Sequence, residues 1–207
     1  MKRILLTASV LTLAAAAPVF AQGMMKDDMA KDSMSKDSMA KDGMASGRSV
    51  TVGGAPMYPN KNIIENAVNS KDHTTLVAAV KAAGLVDTLS GEGPFTVFAP
   101  TNAAFGKLPS GTVDTLVKPE NKATLTEILT YHVVPGNNSA ADIKAAIEKG
   151  GGKAEWKTVN GETLTGTMEG GKLVLTDEKG GKANVTIGDV NQSNGVIHVI
   201  DTVLMPG

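Results

Sequence analysis

Apolar residues recur at helical spacing through the first half of this chain and in strand-like runs through the second. Ile63, Ile64, Ala67 and Val68 mark one face of a short helix predicted over residues 62–70. Asp72 is placed to cap the next helix, which carries Leu76, Val77, Val80 and Ala83 and stops at Gly84. Leu85, Val86 and Leu89 extend the same buried surface. Residues 95–99 alternate as a strand that is apolar on both sides, and Pro100 ends it. Thr101 or Asn102 then caps a turn of helix bearing Ala103, Ala104 and Phe105. Val113, Leu116 and Val117 predict a further short helix. Leu125, Ile128, Leu129 and His132 fall on one helical face, closed by Pro135 and Gly136. Residues 140–147 read as the last helix.

Strands fill the remainder. Asn160-Gly161 is a hairpin signal between predicted strands 155–159 and 162–167. Glycine pairs at 170–171 and 180–181 bracket strands 172–176 and 182–187. The run 196–204 is nearly continuous Val, Ile and Leu, the pattern of a central strand buried on both faces. Helices clustered early and strands late predict an α+β fold, with antiparallel strands in a wedge-shaped β-sandwich.

Residues 22–59 follow neither period. Met recurs at 24, 29, 34, 39 and 44, and Lys-Asp pairs precede or follow each at the same spacing of five. On a helix that step turns the azimuth by roughly 140°, so no stripe forms. The segment is otherwise small and polar, a composition that cannot offset the entropy of ordering. It resembles short secreted bacterial sequences built of Met-x-Lys-Asp-x pentapeptides, and is expected to be a disordered spacer. Two other readings attach to it, a thioether site for Cu(I) and a sacrificial oxidant trap, which together would make a periplasmic metal or oxidant buffer. Residues 45–59 have the composition of a linker, which puts the start of the folded domain near Asn60.

The first residues add a location. Lys2 and Arg3 precede an uncharged, mostly apolar run, and Val19-Phe20-Ala21 offers a cleavage point. Residues 1–21 are expected to be a signal peptide, because the apolar run is shorter than the roughly 20 residues a spanning helix needs. The chain is therefore expected to be secreted, periplasmic or extracellular. It contains no Cys, which excludes disulfides, thiolate metal sites and a lipid anchor through cysteine. Its formal net charge is −1, and loss of Lys2 and Arg3 would make it more acidic. Neither that balance nor the 3% aromatic content suits nucleic acid.

Candidate chemistry is sparse. The three histidines, His73, His132 and His198, do not stand at metal-ligand spacing, and neither a nucleophile elbow nor a phosphate-cradling loop occurs. No enzymatic activity, catalytic residue, metal or cofactor is expected. His132 is expected to be a buried imidazole bonded to backbone carbonyls near Pro135, His198 a core residue of the last strand, and His73 an exposed one. Trp156 and Met168 are assigned either to a satellite apolar cluster or to a small cleft. Sequons begin at Asn137, Asn184 and Asn191.

Three stretches carry a resemblance. Gly93-Pro94-Phe95-Thr96-Val97-Phe98-Ala99-Pro100-Thr101-Asn102-Ala103-Ala104-Phe105, Tyr131-His132-Val133-Val134-Pro135-Gly136 and the run from Asn194 to Pro206 resemble, in order and spacing, the signature boxes of the fasciclin-like domain. The resemblance implies the wedge-shaped sandwich over residues 60–207. It also implies a non-enzymatic binding module for cell-surface or extracellular-matrix adhesion, with a surface protein or polysaccharide as partner. In animal members the Tyr-His segment is implicated in integrin-type contact, which makes Tyr131 and His132 a possible interaction motif as well as a structural one. Carriage of a small apolar ligand such as a carotenoid is the alternative that the resemblance allows.

Overall fold

The computed structural model describes residues 49–207. The expected signal peptide and the Met-Lys-Asp repeat lie outside the described residues. Within them, helices and strands combine in an α+β fold built on one seven-stranded sheet.

A hairpin of β1 (Val50–Val52) and β2 (Ala55–Met57) opens the described chain. This corrects the linker assignment, because Val52 and Met57 are each only 3% exposed and belong to the core. Only two buried side chains stand among turn-forming residues here, so no periodicity announces the hairpin. Helix α1 (Ile63–Ala67) is shorter than the predicted span and begins on Asn62, whose side chain accepts from the Glu65 N–H in a capping box. Asp72 does not cap the next helix. It lies within a 3-10 turn, Lys71–His73, that leads directly into α2 (Thr74–Ala83). Gly84 ends α2 in the left-handed conformation, φ 74°. Helix α3 (Val86–Ser90) follows.

Strand β3 (Phe95–Pro100) includes Pro100, and Thr101 caps α4 (Asn102–Gly106) by accepting from the Ala104 N–H. Asn102 instead ties α4 to α2, accepting from the Thr75 N–H and donating to the Lys71 carbonyl. Then come α5 (Thr112–Leu116), α6 (Lys122–Tyr131), β4 (Val133–Pro135) and α7 (Ala140–Lys149), the last opened by a Ser139–Asp142 capping box. Five strands complete the chain: β5 (Lys153–Lys157), β6 (Thr163–Glu169), β7 (Lys172–Thr176), β8 (Lys182–Gln192) and β9 (Gly195–Ile200).

The sheet runs β4-β3-β9-β8-β7-β6-β5. Every pairing in it is antiparallel except β3 with β9, which is parallel and corrects the wholly antiparallel expectation. The two edges approach one another where the Val159 N–H donates to the Val133 carbonyl at 2.8 Å, so the sheet nearly closes. β3 and β9 lie between two cores. Val97, Ala99, Ile197 and Val199 face the helices α1 to α6. Phe98 and Ile200 face the other side, with Ile143 and Ile147 of α7 and Leu164 and Leu175 of the outer strands. Trp156 and Met168 pack against this second core.

Candidate functional site

Tyr131 and His132 sit where α6 turns into β4, and both are buried, at 0% and 2% exposure. The Tyr131 ring enters the second core and its hydroxyl donates to the Thr163 carbonyl at 2.9 Å. Burial raises its pKa to about 12. The His132 ring lies edge-on to it, 6.3 Å between centroids. His132 Nδ1 meets the Ile128 carbonyl at 2.7 Å, and Nε2 accepts from the Leu204 N–H at 3.0 Å. The second bond requires Nε2 to be unprotonated, which makes Nδ1 the donor and the ring neutral. Burial pushes its pKa down to about 4, opposed by the Ile128 carbonyl. His132 thus fastens the end of α6 to the chain just after β9, and Tyr131 fastens it to β6. The carbonyl it uses belongs to its own helix rather than to the Pro135 turn, and neither side chain is offered at the surface.

His198 is fully buried and stacks on Phe98 at 5.6 Å. Its Nε2 donates to the Asn138 carbonyl and its Nδ1 accepts from the Asp189 N–H, so it holds the loop before α7 against β8. His73 is not exposed as expected but 2% exposed. Its Nδ1 pairs with the Ser70 hydroxyl at 2.9 Å while Nε2 has no hydrogen-bond partner. Burial lowers the pKa of both rings, with Ala99 and Asp72 opposing at His73 and Asn138 and Asp189 opposing at His198.

His73 and His132 both border an apolar cavity between the helices and the sheet, with Val52, Met57, Leu76 and Val97 among its other walls. It measures about 40 Å³. That is room for a few waters, against several hundred Å³ for ordinary ligand pockets.

A larger depression of about 530 Å³ opens where β3 and β9 begin. Residues 90–94 and 192–195 form most of it, with Asn62 and Asn137 completing its lining. Asn194 holds it together. Its Oδ1 accepts from the Ile63 N–H, and its Nδ2 donates to the Leu89 and Gly91 carbonyls at 2.8 and 3.0 Å. One side chain therefore joins α1, α3 and the start of β9. Two glycines let the main chains meet: a Cβ on Gly93 would lie 2.0 Å from the Asn194 oxygen, and one on Gly195 2.0 Å from the Phe95 oxygen. Nothing in the sequence marked this cleft as a site, although the first and third signature boxes open on its floor. Among the described residues no hydrogen bond engages the side chains of Ser90, Glu92, Asn137 and Ser193, which line it. Among the described residues no cluster of three or more His, Asp or Glu is placed to hold a metal ion.

The sequence profile of the fasciclin domain matches residues 71–206. The chain belongs to the fasciclin-domain family. Relatives of this fasciclin protein include protein sll1483 of Synechocystis, 48% identical over 77% of this chain and 81% of that one. Another is the cell surface glycolipoprotein MPB83 of Mycobacterium bovis, 39% identical over 68% of this chain and 58% of that one. Its fold is similar to the FAS1 domain pair of the insect cell adhesion molecule Fasciclin I, with TM-score 0.63 and 22% identity over 71% of this chain. The chain spans about half of that pair. No helix among the described residues is long and apolar enough to cross a membrane.

Proposed function

We propose that this fasciclin protein is an exported, non-enzymatic binding module for attachment to a cell surface or extracellular matrix. Membership of the fasciclin-domain family carries the reading, with a cell-surface protein and a cell adhesion molecule among its relatives and structural neighbours. A polar cleft cross-linked by Asn194 and open to solvent supports it, and the buried chemistry of Tyr131, His132 and His198 is turned to holding elements together. In this reading residues 1–21 direct export and residues 22–48 space the domain from its anchorage. A single small module binds weakly, so attachment would draw strength from many copies at one surface.

Carriage of a carotenoid or similar apolar molecule is the weaker reading, because the apolar cavity is an order of magnitude too small. The metal or oxidant buffer would reside in the Met repeat. The deciding experiment deletes the gene and measures attachment and matrix formation. Loss restored by the full chain supports the reading, and unchanged attachment refutes it.

A further inference from the structure

The cleft at the start of β3 and β9 has the size of a ligand site and a specific chemistry. Its volume of about 530 Å³ falls within the range of roughly 300–1,000 Å³ typical of small-molecule sites. Its floor is main chain, locked by Asn194 and by the glycine contacts at 93 and 195. Its lining includes the hydroxyls of Ser90 and Ser193, the amide of Asn137 and one carboxylate, that of Glu92. Among the described residues that line it the one charged side chain is the Glu92 carboxylate, which disfavours an anionic polymer. Pro94 is its one apolar side chain, which removes the driving force for an apolar ligand.

What remains fits a hydroxyl-rich neutral ligand, since each sugar hydroxyl both donates and accepts. An exposed aromatic ring lies on a segment bonded to the cleft. The Tyr58 ring is 43% exposed, with the Lys61 ammonium 5.2 Å from its centroid. Its segment is tied to the cleft because the Ser193 N–H donates to the Lys61 carbonyl, and the Asn66 side chain bonds both the Tyr58 main chain and Gln192. The hydrogen bonds at Tyr58 are all main-chain, so the ring is exposed and meets the Lys61 ammonium over one face.

We propose that this cleft binds a neutral polysaccharide chain, with Ser90, Glu92, Asn137 and Ser193 bonding its hydroxyls and Tyr58 stacking beside them. The proposal rests on the attachment reading above for its biological role and names the ligand class of that reading.

The test titrates the full chain with cellohexaose, maltohexaose and mannohexaose, and with hexagalacturonate as an anionic counterpart, following amide NMR shifts. At least one neutral hexasaccharide is expected to shift amides within residues 91–95 and 193–195. Ser193→Arg and Tyr58→Ala are each expected to weaken it about tenfold or more, while Lys149→Ala on the exposed end of α7 leaves it unchanged. Unaltered melting and amide spectra elsewhere establish that the variants fold. The proposal is overturned if no neutral hexasaccharide shifts the cleft at millimolar concentration. Tighter binding of hexagalacturonate overturns it too, as does tighter binding there of a peptide spanning residues 22–48. The two readings separate in cells. If gene deletion lowers attachment and the Ser193→Arg chain restores it fully, the attachment function stands and the saccharide cleft falls. If deletion leaves attachment unchanged, the function falls whatever the titration gives.

Discussion

Protonating His132 should break the joint between α6 and the segment after β9. The ring is fully buried and must accept the Leu204 N–H through Nε2, which a protonated ring cannot do. Its folded pKa is about 4, against 6.5 for an exposed histidine. Below 6.5 the unfolded chain binds a proton that the folded chain refuses, so stability falls with pH until the folded ring also titrates. It is flat above about 7 and again well below 4. From the two pKa values, the loss between pH 7.5 and pH 4.5 is about 2.5 kcal/mol for this ring alone. His73 and His198, whose pKa values are also lowered by burial, act in the same direction. Urea titrations at the two pH values measure the loss directly, as a fall in midpoint of roughly 1–2 M. His132→Gln is less stable at pH 7.5, because it forfeits the bond to the Ile128 carbonyl, but loses correspondingly less on acidification. The reasoning is refuted if the wild-type midpoint is unchanged between the two values. An NMR titration placing His132 near 6.5 in the folded protein would refute it equally.

Three further perturbations probe the fold around the site. Asn194→Ala strands the Ile63 N–H and the Leu89 and Gly91 carbonyls, and should lower unfolding stability by about 3 kcal/mol in a urea titration; a change within error would show that water replaces the amide. Gly166→Ala places a Cβ 2.6 Å from the Trp156 ring. That ring is half-buried on edge strand β5 and can move outward, so the expected loss is only about 1 kcal/mol, accompanied by a red shift in the emission of the chain's single tryptophan. Met57→Ala should cost about 2–5 kcal/mol by calorimetry although Met57 precedes the matched residues 71–206, and a chain starting at residue 60 that melts like the parent would show the hairpin to be dispensable.

Much of the architecture follows from local pattern. The apolar face of α6, the left-handed stop at Gly84, the cap at Thr101 and the doubly buried β3 and β9 all depend on neighbours within a few residues. Their signals are therefore written in the sequence. The signature boxes similarly carried the family, because they encode a strand, its stop and its cap in one short run. What lay beyond the sequence depends on partners far along the chain. Val52 and Met57 are core residues only because α1 and the sheet come to lie beneath them. His73 reads as exposed beside Lys71 and Asp72, and is buried because the 3-10 turn rotates it toward the cavity. The parallel pairing of β3 with β9 joins segments a hundred residues apart, and no periodicity records direction. The cleft is the clearest case. Gly93 and Asn194 are unremarkable turn residues until tertiary folding sets their main chains in contact, and only then do the free hydroxyls around them share one surface. Sequence thus determined which segments must be buried and where they stop. The tertiary structure decided which buried faces meet, and so which polar groups remain for a ligand.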